Sequence, residues 1–242
     1  MKNLSASDIF CIIPARNEEK NIPNLLMGLL EIGGLKKDQI LIVNNGSTDQ
    51  TEFVLSELDV PYTNEPNIGY GSAILRGLDT IKNQNKIPNF ILICDADGSD
   101  DPEDIRRLYH TIVQTDADLV IGSRLLGTYE ESSLSAIQIF GNRLVCFLIL
   151  LFYRKRFTDL GPLRLIRYSS LLDLDLKDKT WGWNIEMHLM ALEKNKHIVE
   201  IPVNYRKRFS GVSKISGTLS MSMRVGFRIL YTFFRIYILG RL

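Results

Sequence analysis

Three cysteines in 242 residues, an odd number with no C-x-x-C pair, exclude a disulfide framework and leave no cysteine-based zinc site. Cys11 and Cys94 fall inside apolar strand-like runs and Cys146 inside an apolar helical run, so all three are expected as reduced thiols in a reducing compartment. The three histidines, His110, His188 and His197, have no ligand spacing and are expected as ordinary surface or helix residues. There is no G-x-x-x-x-G-K-[ST], no H-E-x-x-H and no nucleophile elbow, which removes P-loop, zinc-protease and α/β-hydrolase chemistry. The first residues carry no basic patch followed by an apolar stretch, so no signal peptide is expected. The longest apolar run, 144–153, has ten residues. As a helix it would be about 15 Å long, half of a ~30 Å hydrocarbon core, and it is expected as a buried core helix or an interfacial segment. Repeats and low-complexity stretches are also missing.

What is present is a globular composition, 45% apolar and 24% charged, enough for one domain with a sizeable core. The net charge of +1 conceals a division. Residues 1–153 carry 12 Lys/Arg against 21 Asp/Glu, whereas residues 154–242 carry 17 against 7. After Glu200 there is no acid, but eight bases. That end of the chain is suited to an anionic partner. Nucleic acid is a poor fit, because the bases are not interleaved with stacking aromatics.

Apolar strands are read at 9–14, 40–43, 60–63, 90–94 and 119–121, separated by amphipathic helical segments such as 22–32. Continuous apolar strands alternating with helices predict an α/β fold, with a mostly parallel central sheet covered by helices on both faces. In such sheets ligands bind beyond the carboxyl ends of the strands. Polar residues gather there: 14–18, 44–49, 95–101 and Ser123-Arg124. The segment 218–242 is apolar but interrupted by Arg224, Arg228, Arg235 and Arg241. On a helix the first three fall within roughly 40° of one another. This pattern fits a helix lying on a membrane, or one docked on the domain with its Arg stems outward. The expected division is a catalytic domain over 1–216 and an amphipathic, membrane-interfacial helix over 217–242.

Asp95-Ala96-Asp97 ends a fully apolar strand. Crowded carboxylates repel unless a cation joins them, and hard oxygen ligands suit Mg2+ or Mn2+ with substrate phosphates completing the shell. The surrounding segments are Pro14-Ala15-Arg16-Asn17-Glu18-Glu19, Asn44-Asn45-Gly46-Ser47-Thr48-Asp49, Gly69-Tyr70-Gly71, Ser123-Arg124, Asp159-Leu160-Gly161-Pro162-Leu163-Arg164 and Arg208-Phe209-Ser210-Gly211-Val212-Ser213-Lys214. In this order and spacing they resemble the inverting family 2 glycosyltransferases of the glycosyltransferase-A fold, over about residues 8–216. The resemblance is closest to the branch of dolichyl-phosphate mannose synthases and bacterial polyprenyl-phosphate sugar transferases.

The resemblance implies nucleotide contacts from Pro14, Arg16, Asn17, Glu18, Asn44, Asn45, Gly71, Asp95 and Ala96. It implies metal ligation by Asp95 and Asp97, with Asp97 central to catalysis, and phosphate binding by Arg124, Arg208, Ser213 and Lys214. Asn44-Asn45 depart from the family's acidic pair. An amide oxygen can still accept the imide N–H of uracil, which favours a UDP-sugar. Asp159 is expected to shape the site floor. The indoles of Trp181 and Trp183 either bound a sugar or pack in the core. Glu186 stands where many members carry the catalytic acid and is the candidate base for a hydroxyl acceptor; a phosphate acceptor, already ionised, needs none. The implied activity is transfer of a hexose-type sugar from a nucleoside diphosphate sugar to a polyprenyl phosphate, by a cytoplasmic enzyme on the inner face of the membrane. A hydroxyl acceptor, a non-catalytic sugar-nucleotide-binding module and self-association into a homo-oligomer stay open.

Overall fold

Ile9, Cys11 and Ile13 turn to one side of the first strand and Phe10 and Ile12 to the other, and all five are buried. A strand apolar on both faces must be covered on both faces, and a computed structural model of the chain shows how. The structure describes residues 9–83, 87–211 and 219–239. The strands are β1 (Ile9–Ala15), β2 (Ile40–Asn44), β3 (Tyr62–Asn64), β4 (Phe90–Ile93), β5 (Leu119–Tyr129), β6 (Arg164–Arg167) and β7 (Ile198–Tyr205). They form one sheet in the order β3-β2-β1-β4-β6-β5-β7. All neighbours are parallel except β6, which runs antiparallel to β4 and β5. The mostly parallel α/β architecture agrees with the apolar runs.

The helices are α1 (Ile22–Met27), α2 (Thr51–Glu57), α3 (Tyr70–Lys82), α4 (Glu103–Thr115), α5 (Ala136–Tyr153), α6 (Tyr168–Leu174), α7 (Trp183–Glu193) and α8 (Leu219–Leu239). α1 loosens into a π turn over Gly28–Ile32 and ends at Gly33-Gly34, with Gly34 at φ +76°. One core lies between the sheet and α1, α2 and α4. A second lies between the opposite face and α3, α6 and α7. From β1 the chain builds outward through β2 to β3, then returns to place β4 on the other side of β1. The crevice between the ends of β1 and β4 is the switch point at which such sheets take ligands.

The sequence reading lacks β6 and β7, and two further regions differ from it. The apolar run 144–153 is only the second half of α5, whose eighteen residues begin at Ala136 with Ser135 as cap. By length and composition α5 could cross a membrane. The capping box of Ser135 and Gln138 starts the helix ahead of its apolar stretch, so the run alone understated its length. In α8, Arg228 and Arg235 do not form one outward stripe with exposed Arg224. They turn inward, Arg228 onto Asp178 (3.1 Å) and Arg235 onto Glu186 (3.2 Å). Phe233 and Ile236 of α8 join Val145 and Ile149 of α5 and Ile185 and Leu189 of α7 in a third core.

Candidate active site

A cavity of about 530 Å³ opens at the carboxyl ends of β1 and β4. One end is lined by Pro14 at the end of β1, Arg16 and Glu18 after it, Asn45 after β2, Asp95, Ala96 and Asp97 after β4, Arg124 on β5, and Arg208 after β7. Trp181 and Asn184 stand further along. The remaining wall is α5 and α8, through Ile137, Gly141, Val145, Val225 and Ile229. At the polar end, segments nearly two hundred residues apart, from Pro14 to Arg208, meet because each lies on or follows a strand.

The acids at the cavity floor strain against one another. Burial and the neighbouring charge of Asp97 push the Asp95 carboxyl up to about 7. Asp100, whose Oδ2 accepts the Asp95 N–H (3.1 Å), is also raised by burial and by Asp95, and its Oδ1 is buried without a hydrogen bond. Asp97 is 8% exposed; its Oδ1 accepts the Ser99 N–H (2.9 Å) and its Oδ2 the Arg208 Nη2 (2.7 Å). Arg208 arrives because its segment runs along the acidic turn: the Arg206 N–H donates to Ser99 O and the Phe209 N–H to Asp97 O.

These residues fit a divalent ion. Two neighbouring carboxylates, Asp97 buried and Asp95 partly so, gain from a shared cation, and the orphaned Asp100 oxygen lies beside them. Among the described residues no three His, Cys, Asp or Glu side chains are arranged to enclose an ion. Asp95 and Asp97 would supply a partial shell, with the ligand's phosphates completing it.

Arg124 is held by three bonds to one carboxylate. Asp159, wholly buried, accepts from its backbone N–H, Nε and Nη2, each at 2.8 Å. The guanidinium also lies over the Tyr205 ring, 5.1 Å from its centre. Burial works against its charge, but Asp159 more than offsets this and holds Arg124 above its ordinary value.

Of the expected site residues, Asn17, Asn44, Gly71 and Trp183 build the site rather than line the cavity. Asn17, at φ +53°, ties the loops after β1 and β2: its N–H donates to Ser47 Oγ (3.0 Å) and its Oδ1 accepts the Thr48 N–H (2.8 Å). The amide oxygens proposed to read uracil already accept backbone donors, Asn44 from Ser47 (3.4 Å) and Asn45 from Gly69 (2.8 Å). Gly71 does not border the cavity either; a Cβ there would sit 1.8 Å from Asp178 O, so this glycine lets α3 start against the 178–180 loop. Trp183 is fully buried in the core, whereas Trp181 reaches the cavity.

Glu186 is the main correction. It is 4% exposed and accepts from the N–H groups of Lys177 (3.0 Å) and Asp178 (2.6 Å) and from Arg235. It anchors the 177–178 loop and α8, and it does not line the cavity. Spacing put it one helical turn from Trp183, but only packing shows that this face of α7 points into α8. Ser213 and Lys214 lie outside the described residues. Tyr70, Asn184 and Tyr205 line the cavity without having been assigned a role: Tyr70 sits inside the Gly69–Gly71 segment, whose signal is its glycines, and a lone aromatic or amide carries little signal of its own.

Sheet order, the switch-point crevice and the acidic strand end define a glycosyltransferase-A fold. Among solved structures, the chain is similar to glucosyl-3-phosphoglycerate synthase from Mycobacterium tuberculosis in complex with Mn2+, UDP and phosphoglyceric acid. The TM-score is 0.74 at 15% identity, covering 96% of this chain and 78% of that one. The same synthase in complex with Mn2+ and UDP-glucose matches at TM-score 0.70 and 17% identity, over 93% and 79%. Residues 10–171 match the model of Glycosyl transferase family 2, and the chain belongs to that family. It is a glycosyltransferase. An uncharacterized glycosyltransferase of M. tuberculosis is 29% identical over 91% of this chain and 95% of its own length. The UDP-N-acetylglucosamine–dolichyl-phosphate N-acetylglucosaminyltransferase of Methanococcus voltae is 28% identical over 92% and 93%. The polyprenol monophosphomannose synthase of Mycolicibacterium smegmatis is 29% identical over 86% and 80%.

Proposed function

We propose that this enzyme transfers a hexose-type sugar from a nucleoside diphosphate sugar, UDP-sugar favoured, to a polyprenyl phosphate at the membrane surface, with inversion at the anomeric carbon. The observation that carries this reading is the two-sided cavity: acids and arginines at one end, and the apolar helices α5 and α8 along the wall. The names of the Methanococcus and Mycolicibacterium relatives support a polyprenyl-type acceptor, and the former supports UDP.

The chemistry follows from the groups present. An acceptor phosphate oxygen attacks the anomeric carbon in line as the bond to the donor diphosphate breaks, and the nucleoside diphosphate leaves. That nucleophile is ionised at neutral pH and needs no strong base, which agrees with a Glu186 sequestered between α7 and α8. A hydroxyl acceptor served by Glu186 is correspondingly disfavoured. Arg124 and Arg208 place fixed positive charge where charge builds on the departing diphosphate. Mg2+ or Mn2+ held by Asp95 and Asp97 would add Lewis-acid neutralisation of the same charge.

The wall helices also present apolar side chains outward. α5 exposes Ile137, Phe140, Phe147 and Leu151, and α8 exposes Met223, Phe227, Tyr231 and Ile238. Exposed bases at Arg143, Arg154, Lys155, Arg156 and Arg224 flank them. Two such stripes beside one cavity fit a peripheral helix pair lying in the headgroup region, on the cytoplasmic face where buried thiols stay free. The test is transfer of radiolabelled sugar from a panel of sugar nucleotides to polyprenyl phosphate in anionic vesicles, with Mn2+ or Mg2+. Transfer abolished by Asp97→Ala is the expected result. Transfer to soluble hydroxyl acceptors alone would overturn the lipid reading.

A further inference from the structure

Glu200 is the last acid in the chain and sits in the middle of β7, an otherwise mostly apolar strand. A half-buried carboxylate on a strand costs desolvation unless donors repay it. Its donors all belong to one short segment. Glu200 accepts from the Thr158 N–H through both oxygens (3.1 and 3.0 Å), from Thr158 Oγ1 (3.1 Å) and from the Asp159 N–H (3.2 Å). Asp159 is the residue that grips Arg124 with three 2.8 Å bonds, and Arg124 borders the cavity. The segment is held from its other side by Asn142 of α5, which donates to Thr158 O (3.0 Å) and accepts from the Leu160 N–H (2.8 Å).

We infer that Glu200 is a positioning residue for phosphate recognition: it fixes Thr158 and Asp159, and Asp159 in turn aims Arg124 into the cavity. This rests on the reading of Arg124 as a phosphate ligand. The arrangement places two acids one peptide apart in space. Like charges so close are tolerated because they divide the work, Glu200 taking backbone N–H groups and Asp159 taking the guanidinium. A carboxylate suits Glu200 because both of its oxygens face the Thr158 N–H, which can only donate. An amide at that position would turn an N–H2 toward the Thr158 N–H.

The experiment is a double-mutant cycle on the full chain, with calorimetric affinity for UDP in the presence of Mn2+ as the readout. Glu200→Gln is expected to weaken UDP about tenfold, and Arg124→Gln by a similar or larger factor. The double variant should bind no more weakly than Arg124→Gln alone, because Glu200 acts only through Arg124. A purely structural Glu200 would lower affinity by the same factor in both backgrounds, and that result overturns the inference. If Arg124→Gln weakens UDP while Glu200→Gln leaves it unchanged, the positioning role falls and the phosphate reading stands. If Arg124→Gln has no effect, both fall. Should Glu200→Gln fail to fold, Thr158→Val removes one of the four bonds and keeps the carboxylate. The same cycle with Arg124→Gln then applies, with a smaller weakening confined to the Arg124 background.

Discussion

Phe233→Ala should separate donor binding from transfer. Phe233 has no exposed surface and sits at the centre of the α5–α7–α8 core, edge-on to Phe152 and Tyr153. α8 holds the domain chiefly through three buried apolar side chains, Val225, Phe233 and Ile236, joined by partly buried Ile229, Leu230 and Tyr237, the Thr232 Oγ1 bond to Asp178 (2.9 Å) and two ion pairs. At roughly 2 kcal/mol for each buried apolar side chain, docking gains about 6 kcal/mol. The ion pairs, about a third exposed on their arginine sides, add at most about 1 kcal/mol each. Truncating a buried Phe typically costs about 3–5 kcal/mol, roughly half of that combined total. α8 should then spend a substantial fraction of time undocked, and the cavity loses the wall that Val225 and Ile229 supply. The acidic end, carried by β1, β4 and β5, is untouched. Calorimetry with UDP and Mn2+ should find affinity within about threefold of wild type, while transfer to polyprenyl phosphate falls at least tenfold and limited proteolysis cuts within 219–239. Equal losses in UDP affinity and transfer would refute the separation of the two ends.

Three further outcomes are expected. His188, fully buried on α7, is pushed down to about 3 by burial and by Arg164. The unfolded chain protonates it near 6.5 and the folded chain does not, so stability is lost as pH falls below that value. Chemical denaturation should show wild type losing roughly 2 kcal/mol more than His188→Leu between pH 6.5 and 5; parallel losses would contradict this. Arg208→Ala removes a charge-assisted bond to Asp97 and a cavity cation, so transfer should fall at least about tenfold. Mn2+ titrated without nucleotide should bind this variant at least as tightly as wild type, and weaker binding would show that Arg208 supports the metal site. Gly71→Ala forces a methyl into Asp178 O and should lower the melting temperature by several degrees while UDP affinity of the folded fraction is preserved.

The cavity residues that were legible share one property: each ends an apolar strand or belongs to a motif with fixed spacing. Asp95, Asp97, Arg16, Glu18, Arg124 and Arg208 were read that way, and the structure brings them to one cavity. Glu186, Gly71 and Trp183 also belong to segments of characteristic spacing, but each sits elsewhere. Their side-chain directions depend on what α3 and α7 pack against, which spacing does not encode.

The alternation of continuously apolar strands and helices determined the mostly parallel sheet by itself, because strands buried on both faces need helices above and below them. The same pattern determined where the ligand end must be, since polar residues cannot follow a buried strand except at its exit. Tertiary structure alone decided the partners of the charged groups. Arg228 and Arg235 could have faced a lipid surface, and they instead meet Asp178 and Glu186. Glu200 could have been solvated, and it instead holds Asp159 under Arg124. Electrostatic pairing depends on distances of a few ångströms between residues far apart in the chain, and only the folded packing sets those distances.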